Sequence, residues 1–223
     1  MTEIMTFKDL ENDVAIFRDK LLESIKDKPI EKSLFKGIQI YFSPIISDPM
    51  ILFMGINPGA GYFNYNDELV DRLSPLDKHE YLVDEYNYTL KNNTIKLLEL
   101  ANAYYLLENS IKSNYYYVAT NKETDIYNLF AKLELKNDFY EKSKFWTSKL
   151  IEFVNPKIIF CEGVRAFDKI CEIIPCEKNK TEFWNYAKSE KYYILGYKRS
   201  YSNILYSDKV AEQLKILIEK IKK

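Results

Sequence analysis

The sequence predicts an α/β fold: a three-layer sandwich with a central four-stranded, mostly parallel sheet, helices on both faces and an N-terminal helical extension. Three observations carry this expectation. Short continuous apolar runs (PMILFMG, KIIFCEG, KYYILGY) have the length and composition of strands buried on both faces. Segments with apolar residues at helical spacing alternate with them. No internal repeat or low-complexity linker breaks the alternation, and strands that alternate with helices build a largely parallel sheet.

FKDLENDVAIFRDKLLESIKD puts Phe7, Leu10, Val14, Phe17, Leu21 and Ile25 on one helical stripe, with Thr6 placed to cap it. This first helix is expected to pack on the core from outside. IQIYFSP (38–44) predicts a short edge strand, and PMILFMG a core strand closed by Pro and Gly. Residues 60–92 are polar, aromatic and irregular, as a long functional loop with a helical turn or two would be. NTIKLLELANAYYLLENS (93–110) predicts a second amphipathic helix with Asn93 near its cap.

The aromatic and β-branched YYYVATN (115–121) predicts a strand, and DFYEKSKFWTSKLIEFVN (138–155) a helix stopped by Pro156. KIIFCEG (157–163) is the next strand, VRAFDKICEII its helix, and KYYILGY (191–197) the fourth core strand. SDKVAEQLKILIEKIKK (207–223) closes the chain as a helix, capped by Ser207 and with lysines at the end that suits the macrodipole. The expected division is a helical extension over residues 1–48 and an α/β domain over 49–223.

Composition narrows the function classes. Apolar residues make up 47% of 223, enough for a sizeable core. Lys+Arg number 32 against 33 Asp+Glu, a net charge of -1, which argues against a nonspecific coat for nucleic acid but leaves room for a local basic groove. No apolar stretch reaches bilayer-spanning length, and MTEIMTFKDLENDV is too acidic and polar for a secretory signal, so a soluble cytoplasmic protein with no membrane partner is expected. Cys161, Cys171 and Cys176 form no CxxC pair and read as reduced core thiols. The single His79, among the charges of SPLDKHEYL, excludes a histidine-rich metal site.

In open α/β sheets, ligands bind beyond the carboxyl ends of the strands. Four corners qualify: GINPG, ATN, EGVR and GYKRS. GINPG alone reads as a strand-to-loop turn, yet a turn needs Gly and Pro for geometry and has no need of Asn57 between them. In order, GINPG after the first core strand, a strand ending in Asn121, the stretch NPKIIFCEGVRAF and a fourth strand leading into KRSYSN resemble the uracil-DNA glycosylase superfamily. The resemblance is to its mismatch-specific and single-strand-selective branches, whose first motif is GINPG or GMNPG. It covers about residues 50–205.

The resemblance implies an enzyme that flips a base out of DNA, single- or double-stranded, and cuts its N-glycosidic bond. It puts Asn57 where the family holds the attacking water, and backbone N–H groups of Gly55, Ile56 and Gly59 where they meet an oxygen of the flipped base. Gly59 implies a pocket open to 5-substituted pyrimidines. Asn121 falls where an asparagine amide reads the base edge; as a residue by itself it also fits a turn or cap. Phe63, with Tyr62 and Tyr65, supplies a stacking face, or else a lid.

Where many members carry a His-Pro-Ser-like segment, this chain has GYKRSYSN. Lys198, Arg199 and Ser200 then stabilise a leaving anion or contact DNA phosphates, with Tyr201 as a wedge; a solvated surface turn is the other reading. The cysteine count excludes the iron–sulfur branches, and the implied mechanism needs no metal or cofactor. Three classes of function stay open: a monofunctional glycosylase, a binding module that kept the fold without the chemistry, and an activity on a free nucleotide or RNA.

Overall fold

The computed structural model describes residues 6–59 and 69–222. Among them the chain forms seven α-helices: α1 (Phe7–Ile25), α2 (Pro29–Leu34), α3 (Thr89–Leu100), α4 (Glu123–Phe130), α5 (Lys136–Val154), α6 (Val164–Ile173) and α7 (Ser207–Lys222). The strands are β1 (Ile51–Gly55), β2 (Ile111–Asn114), β3 (Ile158–Cys161), β4 (Glu177–Lys180), β5 (Trp184–Lys188), β6 (Tyr193–Tyr197), β7 (Arg199–Ser200) and β8 (Asn203–Ile204). None of the described helices is long and apolar enough to cross a membrane. The chain is α/β, and it divides into two compact units, each assembled from three separated segments.

The first unit takes residues up to 41, 56–75 and 114–153. α1 forms as its spacing predicts: Thr6 accepts from the amide of Asp9 while Asp9 takes the amide of Thr6, and Leu10, Val14, Phe17, Leu21 and Ile25 are all buried. Phe17 meets Phe139 and Trp146 of α5, and Phe130 stacks on Phe139 with centroids 3.9 Å apart. Asp13 of α1 accepts from Lys142 and from the Trp146 indole at 2.7 Å, so its charge is buried with partners.

YYYVATN lies in this unit as extended backbone. The amides of Tyr116 and Thr120 donate to the carbonyls of Ile56 and Pro58, and Lys36, Gly37 and Gln39 pair with its other edge. The strand expected over 115–121 is therefore displaced: β2 is the preceding IKSN, and residues 38–44 contribute only isolated bridges at Ile38 and Gln39.

The second unit, residues 42–55, 76–113 and 154–222, holds the sheet, in the order β2-β1-β3-β6-β5-β4. β1, β3 and β6 run parallel, while β5 and β4 are antiparallel to their neighbours. The sheet thus has six strands and is mixed, where four mostly parallel strands were expected. The extra pair escaped notice for a physical reason. β4 is EKNK, exposed at every position, and the turn into β5 is made by the Thr181 hydroxyl accepting from the amides of Phe183 and Trp184, with no Gly signal.

Ile51, Phe53, Ile158, Phe160, Leu195 and Tyr197 face α3 and α7. The alternate face meets α6, whose Phe167 lies so close over Gly196 that a Cβ there would fall 2.6 Å from the Phe167 Cβ. α3 begins four residues earlier than predicted and stops at Asn102, whose φ of 53° makes a left-handed cap.

Candidate functional site

β1 delivers GINPG at its carboxyl end: Gly55 closes the strand, and Ile56, buried, is anchored through its carbonyl to the amide of Tyr116 at 2.9 Å. Asn57 is half-buried. Its Nδ2 donates to the carbonyl of Pro58 at 2.9 Å and to Oγ1 of Thr120 at 3.1 Å. Among the described residues its Oδ1 makes no hydrogen bond, which leaves the acceptor end of the amide uncommitted there. Gly59 bridges Thr120 in parallel register, and Asn121 follows directly, exposed. Within the first unit the structure therefore gathers Asn57, Gly59 and Asn121 around Thr120. Asn121 is not the cap of α4; that position belongs to Lys122, whose amide donates to Asp125 at 3.1 Å. Phe63, with Tyr62 and Tyr65, lies outside the described residues.

Lys198, Arg199, Ser200 and Tyr201 lie together in the second unit, on the β7–β8 hairpin. The Leu205 amide closes it on the Lys198 carbonyl at 2.9 Å, and Asn93, within α3, donates to the Ser202 carbonyl at 3.0 Å. The segment is a braced hairpin, with Tyr201 at its tip, φ 53° and 95% exposed. The Arg199 side chain lies across Gly163 (φ 132°), where an added Cβ would sit 3.3 Å from its Nε.

One cluster was not anticipated. β1 pairs with β2 on one side and β3 on the other, so the strand order reverses at the β1/β3 boundary, where such sheets open a crevice. Glu162 ends β3 there and is 2% exposed. It accepts from the Tyr81 hydroxyl and pairs with Lys112 of β2. Lys112 lies 3.7 Å from Glu80, which accepts from the Tyr88 hydroxyl at 2.9 Å, and 4.7 Å from the centre of the Tyr81 ring. Burial, reinforced by the charge of Glu162, pushes the Tyr81 phenol up, so it stays a donor. The available signal was Glu162 itself, a charge directly after the buried run IIFC. Among the described residues, no group of three or more His, Cys, Asp or Glu is arranged to hold a metal ion.

His79 belongs to this cluster: its Nδ1 accepts from the amide of Tyr81 at 3.1 Å, and its buried Nε2 has no hydrogen-bond partner among the described residues. Burial, and then the charge of Lys112, lower its pKa from 6.5 to about 3. The unfolded chain protonates this histidine at a pH where the folded one does not. Stability is therefore full above pH 6.5 and lost as pH falls toward 3, by about 1.4 kcal/mol per pH unit. Denaturant titrations of wild type and His79→Asn, whose amide keeps an acceptor for Tyr81, should diverge across that window. A stability difference independent of pH would show that His79 is not held neutral.

No family model and no curated protein matches the chain.

Proposed function

We propose that the chain is a monofunctional DNA glycosylase of the uracil-DNA glycosylase type. It flips a damaged, mismatched or modified pyrimidine (uracil or a related base) out of DNA and hydrolyses the N-glycosidic bond with a water held by Asn57, as in base excision repair. The observation that carries this reading is an amide whose nitrogen is committed to Pro58 and Thr120 while its Oδ1 has no partner among the described residues.

The chemistry suits such a group. The C1′–N bond breaks with its electron pair going to the base, leaving a cationic sugar and an anionic leaving group. Water then needs orientation more than deprotonation: a carboxamide oxygen accepts a hydrogen bond from it while the water oxygen closes on C1′, and the proton released as the sugar hydroxyl forms balances the one taken up by the anionic base. Asn121, exposed and without a side-chain hydrogen bond among the described residues, remains available to read a base edge. The hairpin bearing Lys198, Arg199, Ser200 and Tyr201 presents cations to phosphates and an exposed ring to base steps.

The lack of histidine in GYKRSYSN favours a second reading, a module that binds nucleic acid or a base without cutting. An abasic-site cleavage assay separates the two. Oligonucleotides carrying uracil, mismatched thymine, hypoxanthine or a 5-substituted pyrimidine, single- and double-stranded, are expected to yield alkali-cleavable product from at least one base. Retained oligonucleotide binding with no product from any of them would leave the binding module.

A further inference from the structure

Thr120 contacts no exposed surface, yet its hydrogen bonds bear directly on Asn57. It is 0% exposed, and its amide donates to the Pro58 carbonyl at 3.2 Å. Its hydroxyl has a single proton, which goes to the carbonyl of Lys122 at 2.7 Å. That carbonyl is held in place, since it also accepts the Asp125 amide at 3.0 Å while Asp125 takes the Lys122 amide. With its proton spent, Thr120 Oγ1 has only lone pairs left for Asn57, and the Pro58 carbonyl has only lone pairs too.

We infer that Thr120 is a positioning residue of Asn57: with its proton held by the Lys122 carbonyl, its hydroxyl oxygen acts with the Pro58 carbonyl to fix the Asn57 amide with nitrogen toward them and Oδ1 away. Amide N and O differ little in size, so packing alone discriminates weakly between the two orientations. Hydrogen bonding does discriminate. A flipped Asn57 would set Oδ1 against two acceptors and lose both bonds, each worth about fivefold in population. The end turned away from Thr120 and Pro58 is then an acceptor, and what it holds must be a donor, such as water or an N–H, and not an anion. This inference rests on the reading of Asn57 as the holder of the reacting water. It assigns the orientation of that amide to a residue that touches neither water nor base.

The test pairs Thr120→Val, which keeps the shape and removes the hydroxyl, with Thr120→Ser, which restores it. Two readouts are taken on the full chain. The first is the side-chain amide resonance of Asn57 in nitrogen-15-labelled protein. It is expected to lose its hydrogen-bonded shift and exchange protection in the Val variant and to recover them in the Ser variant. The second is single-turnover base excision, expected to fall by no more than a few-fold in Val, where the Pro58 carbonyl still favours the same orientation, with DNA affinity unchanged, and to return in Ser. Should Val not fold, Thr120→Ala removes the same hydroxyl. Unchanged Asn57 amide resonances in the hydroxyl-free variant would overturn the positioning role, as would a Ser variant as impaired as Val. A wild type that excises no base would instead sink the glycosylase reading, and the amide spectra would still decide the role of Thr120.

Discussion

Replacing Asn57 by Ala is expected to reduce base excision by about a thousandfold while oligonucleotide binding stays within a factor of a few. The asymmetry follows from where the side chain sits. Asn57 is half-buried at the corner after β1, and among the described residues its nitrogen bonds only to Pro58 and Thr120. The backbone bond from the Thr120 amide to the Pro58 carbonyl, and the Gly59–Thr120 bridge, do not depend on it. The turn should therefore survive, at a cost of about 2 kcal/mol for the two lost bonds. On the proposed mechanism what is lost is the Oδ1 acceptor, which matters only once water is at the reacting carbon. A drop in single-turnover rate at unchanged affinity is the signature of a group that acts in the transition state. An Asn57→Ala variant that cuts at the wild-type rate would remove the residue from the mechanism, and one that loses rate and binding together would make it a base contact.

Much of the fold was legible because burial on both faces leaves a continuous apolar run, and β1, β3 and β6 are such runs. The failures are polar strands: β4 is EKNK, exposed throughout, and β2 carries a buried charge whose partner lies far away in sequence. β2 is IKSN, buried at all four positions, and nothing local announces it, because Lys112 is satisfied by Glu162, fifty residues on. The eye goes instead to YYYVATN, whose rings pack against the aromatic core of the first unit and whose backbone pairs with residues 36–39 and 56–59.

The candidate site divides along the same line. Asn57 stood out because a turn has no need of it, whereas Thr120 looks like any strand threonine until the pairing of Pro58 with Thr120 brings it under the amide. Asn93 shows the converse: the sequence offered it as a cap, but α3 starts earlier, and the side chain braces the β7–β8 hairpin instead. Local signals place elements; long-range hydrogen bonds give polar residues their roles.

Lys112→Met is expected to destabilise the second unit by about 3–5 kcal/mol, the usual cost of removing one partner from a buried ion pair. Lys112, Glu80 and Glu162 are each less than a tenth exposed, so no water takes over when the ammonium is gone. Glu162 would keep the Tyr81 hydroxyl but lose the ammonium it pairs with. The face of Tyr81 would lose the same charge.

Hydrogen-exchange protection of the β1 and β3 amides reads this unit by itself, which a global melt of a chain with two compact units does not. Glu162→Gln in the Lys112→Met background removes the stranded charge and should recover part of the loss, so the double-mutant cycle gives a coupling of about 1–3 kcal/mol. Protection within about 0.5 kcal/mol of wild type in Lys112→Met would show that the buried pair contributes little to this unit. A strong coupling would mean that the ion pair of Lys112 with Glu162 ties the ends of β2 and β3 together within this unit.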